Sequence, residues 1–270
     1  MTDTIKIQPP PPEAWDRCAE NYALGFARVT KGSFPSILRH LAIEEGSCVL
    51  ELGSGPGYFA FEAARRGAEV LGIDFSEKMI EVARMNAPDC GFQQADINEL
   101  DVQRRWADCV VANFVLHLLV DPAAAVLASV RSSKDRARFV ATVWQAHSEN
   151  PALGLFYQAA KMTGLEVPEA IQTGPALWDY DMLVRTLSRA HFGELEIRTI
   201  EWIMPIKPEE WWDQVLNGTP ITGQFLLSQP ADQLEKIRSN YLKLANGFPK
   251  DDDQIMMPVH AFLGTGIVAR

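Results

Sequence analysis

Cysteine, histidine and basic residues are all scarce in this chain. Four cysteines and five histidines are spread over 270 residues. Cys18, Cys48, Cys90 and Cys109 form no Cys-x-x-Cys pair and have no histidine at metal-ligand spacing, which argues against zinc and disulfide frameworks. The expectation is reduced thiols and no metal. Twenty-five Lys and Arg against 35 Asp and Glu leave a formal charge of −10, and the longest basic clusters are the pairs Arg65-Arg66 and Arg104-Arg105. A polyanionic partner such as nucleic acid is repelled by that balance. No 18 apolar residues run together, so no membrane-spanning helix is expected. The opening Met1-Thr2-Asp3 lacks the apolar core of a secretory signal, and the expected location is cytoplasmic. Low complexity is confined to Pro9–Pro12, an exposed lead-in, and to Asp251-Asp252-Asp253, a solvated loop.

What the chain does have is a hydrophobic share of 47%, enough for a substantial core, and a regular alternation of strand and helix patterns. An amphipathic helix is predicted over 13–30, where Trp15, Cys18, Ala19, Tyr22, Phe26 and Val29 recur at helical spacing. A short helix follows over 35–41. Strands are predicted at 47–52, 68–74, 91–95, 107–113 and 138–144. The helices between them are placed at 58–66, at 76–86 with Ser76 as N-cap, and from Asp121-Pro122 to 131. Five strands so spaced predict a parallel sheet covered by helices on both faces. Beyond Trp144 the rhythm loosens. A helix runs from Asn150-Pro151 to Gly164, a Pro/Gly-rich passage leads to a helix over 179–190, and strands at 194–203 and 256–268 pair antiparallel. Between those two strands lies a polar insertion with Trp211-Trp212 and a helix over 231–245.

The organising stretch is Val49 to Tyr58, a buried strand running into Gly53-Ser54-Gly55-Pro56-Gly57 and then a helix. Glycines let the backbone turn sharply and let a ligand lie against the main chain, while the helix N-terminus favours an anionic group. The dinucleotide pattern Gly-x-Gly-x-x-Gly begun at Gly53 meets Tyr58 where its third glycine belongs, although the looser form Gly55-x-Gly57-x-x-Ala60 fits. Glu51 lies inside the strand, and Asp74 and Asp96 end the next two strands, where a carboxylate can accept from ribose hydroxyls or from an adenine amino group.

In Glu51 to Gly57, in Gly72-Ile73-Asp74-Phe75-Ser76 with Met79, in Ala95-Asp96-Ile97 and in Asp108 to His117, the chain resembles the class I S-adenosylmethionine-dependent methyltransferases. The likeness is greatest to the ubiquinone/menaquinone-biosynthesis subgroup and covers residues 13–203 and 255–270. It implies an α/β fold, a Rossmann-like seven-stranded, mostly parallel sheet with helices on both faces and a helical cap. Residues 1–45 would be lead-in and cap helices, 46–203 the core, 204–254 a cap insertion and 255–270 the last core strand. The Pro-Gly-Gly turn common before strand five is replaced by Ser132-Ser133-Lys134-Asp135-Arg136, altering a turn far from the cofactor edge.

The resemblance also implies the cofactor S-adenosyl-L-methionine, its product S-adenosyl-L-homocysteine, and a small-molecule methyl acceptor. By it Gly53, Ser54, Gly55 and Gly57 shape the loop, and Glu51 supports the loop and the amino group. Asp74 holds the ribose, Phe75 and Met79 flank the adenine, and Asp96 with Ile97 reads its edge. Asn113 and Phe114 lie beside the methionine and sulfonium. His117 is the candidate base, and Tyr22, in a Trp-x(6)-Tyr setting, belongs to a helix closing over the cofactor. Tyr22, Trp144 and His147 line the acceptor side. Each has a structural alternative: Gly57 as helix start, Met79 as core, Asp96 as N-cap, Tyr22 and His117 as packing. Two other readings stand beside the enzyme. One is an NAD(P)-dependent oxidoreductase, which needs a hydride-site group such as Tyr-x-x-x-Lys and has none directly after the fourth strand. The other is a cofactor-binding protein without methyl transfer.

Overall fold

A computed structural model describes residues 9–100, 102–167 and 179–269; the lead-in before Pro9 and the Pro/Gly-rich passage over 168–178 lie outside them. Four short helices open the chain: α1 (Pro12–Asp16), α2 (Ala19–Leu24), α3 (Ala27–Thr30) and α4 (Phe34–Leu41). The alternating unit follows as β1 (Cys48–Leu52), α5 (Tyr58–Ala64), β2 (Glu69–Asp74), α6 (Glu77–Asn86), β3 (Gly91–Gln94), β4 (Ala107–Asn113), α7 (Pro122–Ser132) and β5 (Ser133–Trp144). Then come α8 (Pro151–Lys161), α9 (Tyr180–Ser188), β6 (Gly193–Ile206), α10 (Pro208–Gly218), α11 (Thr222–Leu227), α12 (Ala231–Ala245), β7 (Lys250–Asp251) and β8 (Gln254–Ile267).

The strands form one sheet in the order β3-β2-β1-β4-β5-β8-β6, and the two-residue β7 adds an eighth strand on β8. Pairings from β3 through β5 are parallel, and β8 runs antiparallel between β5 and β6. Parallel strands buried on both faces favour apolar residues at every position, and β1 supplies them except at Glu51. Leu50 and Leu52 pack with α7 and α9, whereas Val49 packs with α4, α5 and α6. The chain leaves β1 toward β2 on one side and reaches β4 on the other, so a crevice opens at the C-terminal ends of β1 and β4.

Three sequence expectations are corrected. The predicted single helix over 13–30 is three helices, because Cys18 (φ −112°, ψ 1°) and Gly25 (φ −113°, ψ −95°) leave helical geometry. Gly25 is where this segment meets α10; a Cβ there would lie 2.7 Å from Gln214 Cβ. Strand β5 begins at Ser133 rather than 138. Ser133 pairs with Ala107, the register then shifts, and Arg136 takes a φ of 63°. Lys134 Nζ holds Asp108 Oδ2 at 2.8 Å at that end of the sheet, remote from the crevice. The final strand pair is longer than expected and reaches Ile206 opposite Ile255.

That extension carries the cap. Ile206, Ile255, Met257 and Val259 share a core with α8, α10 and α12, so the insertion that reads as polar buries both of its adjacent tryptophans. Trp212 stacks on Phe156 and lies 5.3 Å from the Tyr241 ring centroid. All four cysteines are free; Cys18 and Cys109 are buried, Cys48 and Cys90 half-buried. Among the described residues no helix is long and apolar enough to cross a membrane. Replacing Trp212 with Ala should destabilise the protein by about 3–5 kcal/mol through cavity formation. Urea unfolding would show this, and an unshifted midpoint would mean that the cap core contributes nothing to global stability.

Candidate active site

The crevice is built on the β1–α5 turn. Gly53 (φ 64°) and Gly55 (φ 48°) both take left-handed backbone, but for different reasons. A Cβ on Gly53 would strike Val115 Cγ2 at 2.5 Å, so Gly53 permits a close approach of two loops. A Cβ on Gly55 would meet only Tyr22, at 4.0 Å, and would fill the cavity itself. Gly57 (φ 75°) starts α5 and faces Ala83 and Phe92, which is the helix-start alternative; it does not line the cavity.

Two carboxylates flank this turn and both are buried: Glu51 at 3% exposure and Asp74 at 7%. Asp74 Oδ2 accepts from the Gly55 N–H at 2.8 Å and Oδ1 from the Ser76 N–H at 3.0 Å. Burial nevertheless pushes its pKa up to about 6, against the pull of those two N–H groups. Glu51 is raised well above the carboxylate range by burial, and its Oε2 has no hydrogen-bond partner. Ser54 Oγ, also buried, has none. A buried carboxylate oxygen without a donor costs free energy unless a ligand supplies one.

The cavity encloses about 640 Å³, part of it open to solvent, between these groups and an apolar wall. Phe75, Met79 and Ile97 line one end with Asp96, while Gly53, Gly55, Asn113, Phe114 and Tyr22 line the other. Glu51 and Ser54 line an adjoining recess that Tyr22, Gly53, Gly55 and Asn113 share. Of the positions expected to hold cofactor, all but Gly57 therefore face one of two adjoining cavities. Asp96 is in addition the N-cap of the turn Ile97–Glu99, its Oδ1 accepting from the Asn98 N–H at 2.8 Å. Asn113 is fixed from two sides: Thr142 Oγ1 donates to its Oδ1 at 2.6 Å, and Ser33 Oγ lies 2.8 Å from the same oxygen. Neither hydroxyl is marked by any sequence pattern. Other lining residues missed from the sequence are Val115, Leu118 and Leu119, whose signal was the apolar run after β4, and Trp15, already visible in the Trp-x(6)-Tyr spacing.

The acceptor-side candidates separate into two clusters. Phe114 stacks on Trp144 with centroids 3.6 Å apart, and Phe26 and Trp202 flank Trp144. His147 stacks on Tyr157, and its charge acts on His117. The His117 ring is absent from both cavity linings, its Nδ1 is buried without a partner, and burial lowers its pKa to about 3, so it is neutral at pH 7. A Tyr-x-x-x-Lys pair does occur, as Tyr157 and Lys161 on α8 after β5. The Tyr157 hydroxyl is buried against Thr222 Oγ1 at 2.6 Å, in the cap core and not in the cofactor crevice. Among the described residues no group of three or more His, Cys, Asp and Glu is placed to hold a metal.

The family described as "Methyltransferase domain" matches residues 43–196, more than half of the chain. The chain belongs to this methyltransferase family. Similar curated proteins include the ubiquinone biosynthesis O-methyltransferase of Alkalilimnicola ehrlichii, 35% identical over 117 residues, covering 42% of this chain and 46% of that protein. The trans-aconitate 2-methyltransferase of an Enterobacter species is 32% identical over 87 residues, covering 32% of this chain and 34% of that one. The chain spans at most about half the length of the curated relatives it matches. The solved structure of YcgJ from Bacillus subtilis shares the fold, with a TM-score of 0.57 and 20% identity over 88% of this chain and 98% of that one.

S-adenosyl-L-methionine is the cofactor that this family implies, and the residues present fit it. The orphaned Glu51 oxygen suits an ammonium group, and the open space at Gly55 suits a ligand laid on the backbone. The nicotinamide alternative gives way to the methyltransferase family.

The raised carboxyl pKa values give a testable sign. Asp74 holds its proton more tightly folded than unfolded, so ligand-free stability should fall as pH rises through about 6. A bound ammonium and ribose hydroxyls favour the ionised carboxylates. S-adenosyl-L-homocysteine should therefore bind with proton release near pH 6 and weaken below it. Calorimetry in buffers of different ionisation enthalpy checks this; a binding enthalpy independent of buffer would refute it.

Proposed function

We propose that the chain transfers a methyl group from S-adenosyl-L-methionine to a small acceptor held beneath the helical cap. The carrying observation is the pair of buried carboxylates at the β1 and β2 ends, one with an oxygen lacking any donor. The chemistry such a donor supplies when bound is an electrophilic methyl carbon on a positive sulfur. Asp74 accepts from the ribose hydroxyls, Glu51 pairs with the ammonium, and Phe75, Met79 and Ile97 enclose the adenine. Asp96, with Oδ1 engaged in its cap, has Oδ2 for the adenine amino group. Tyr22 and Phe114 cover the reactive end and exclude water, so that positioning supplies much of the rate.

His117, neutral and outside both cavities, packs behind the acceptor side instead of meeting the acceptor hydroxyl. His147 acts on it electrostatically, and the neighbouring rings are Phe114, Trp144 and Phe26. That environment suits a neutral ring-bearing acceptor with an O–H better than a polycarboxylate, whose charges would be buried without cations. The O-methyltransferase among the relatives supports the same direction.

Incubation with methyl-labelled donor and a panel of phenols, catechols and trans-aconitate should yield labelled product and S-adenosyl-L-homocysteine with a ring-bearing hydroxyl compound. Donor binding without homocysteine product across the panel would refute transfer. Asp74→Ala should weaken donor binding at least about 10-fold. His117→Gln should leave kcat within about twofold, because a ring outside both cavities with a pKa lowered to about 3 is a poor proton acceptor. A much larger loss of kcat would return His117 to the chemistry.

A further inference from the structure

A further acidic side chain meets the site from the N-terminal helices, outside the family's cofactor motifs. Asp16, the last residue of α1, places Oδ1 2.6 Å from Ser76 Oγ and 3.2 Å from the Lys78 N–H. Ser76 is completely buried and caps α6, its Oγ accepting from the Met79 N–H at 3.1 Å. One serine thus joins two carboxylates: its N–H goes to Asp74 and its O–H to Asp16. Next to Asp16, Trp15 lines the cavity and packs edge-on against Tyr22 with ring centroids 5.5 Å apart. Farther along, the same segment is held by the Tyr58 hydroxyl donating to the Ala23 carbonyl at 3.0 Å, by Lys31 over the Tyr58 ring, and by Ser33 at Asn113.

We propose that Asp16 is a positioning residue that latches α1 and Trp15 over the bound cofactor through Ser76, and so sets how fast the cofactor leaves. This rests on the cofactor reading above. A carboxylate at the N-terminus of a ten-residue helix gains from both the charge-assisted hydrogen bonds and the helix dipole. Because the tethers at Ala23, Lys31 and Ser33 are independent of Asp16, its loss frees the α1 end while leaving the remainder of the segment anchored. An electrostatic consequence follows. The groups facing Asp74 are Asp16 from α1, Tyr22 from α2, Glu51 from β1 and the N–H groups of Gly55, Phe75 and Ser76. Asp16 is an acidic neighbour that raises the Asp74 pKa, so neutralising it should lower the pH at which cofactor affinity is half lost.

The test is stopped-flow tryptophan fluorescence and calorimetry of S-adenosyl-L-homocysteine on the full chain, wild type against Asp16→Ala and Asp16→Asn. Asp16→Ala should release the ligand about 10-fold faster. Asp16→Asn, which keeps an acceptor oxygen of the same shape, should fall between, and both should move the pH midpoint of affinity below the wild-type value. Wild-type dissociation rates and an unmoved midpoint in both variants would overturn the latch while leaving the cofactor reading intact. Failure of the wild-type chain to bind the ligand at all would overturn that reading, and the latch with it.

Discussion

The burial of two carboxylates at neighbouring strand ends is the constraint from which the site takes its form. Among the described residues neither Glu51 nor Asp74 has a cation beside it, and each is held in a medium that disfavours its charge. Asp74 is partly compensated by N–H groups from the Gly53–Gly57 turn and from Ser76 ahead of α6, so the glycine backbone and the helix cap are both tied to one side chain. Glu51 is not compensated to the same degree, and its unpaired oxygen is a standing bias toward a positively charged ligand group. The left-handed glycines, the cap of α6 and the covering N-terminal segment converge on this pair.

Local signals in the sequence recorded most of that frame. The alternation of apolar strands with capped helices predicted β1 to β5, and Ser76 and Asp121 each cap the helix assigned to them. Less legible were features that depend on residues far apart in the chain. A helical stripe from Trp15 to Val29 does not show that the backbone must break at Cys18 and Gly25, because those breaks answer to packing against α6 and α10. The seating of Asn113 depends on Ser33, 80 residues earlier, and on Thr142, 29 later. A pair such as Tyr157 and Lys161 shows the opposite error: the spacing is that of a catalytic motif, while burial against Thr222 makes the tyrosine a packing residue.

A row of rings joins the cap to the core. From Tyr22 the contacts run to Phe26, from Phe26 to Trp144 and Trp211, and from Trp144 to Phe114 at the end of β4. Phe114 adopts a φ of 56° and is held there by Thr142, whose carbonyl and hydroxyl oxygens both accept from its N–H. A strained residue supported from the next strand stacks directly on Trp144, so displacement of the cap would be felt at a residue that lines the cavity.

The end of the family match divides the chain in an informative way. The family match ends at residue 196, just inside β6, and so leaves out α10, α11, α12 and β8. These elements bury Trp211, Trp212 and Tyr241 and border the aromatic row that ends on Trp144. The matched part contains every residue expected to hold the donor, together with His117, Trp144 and His147; the unmatched part packs its aromatic core against α8 and, through Trp211, against Phe26. The residues expected to hold the donor sit at strand ends and in one turn, where neighbours in sequence are neighbours in space. Phe26, Phe114 and Trp202, which meet at Trp144, lie far apart in the chain, so short motifs mark the donor side and leave the acceptor side unmarked.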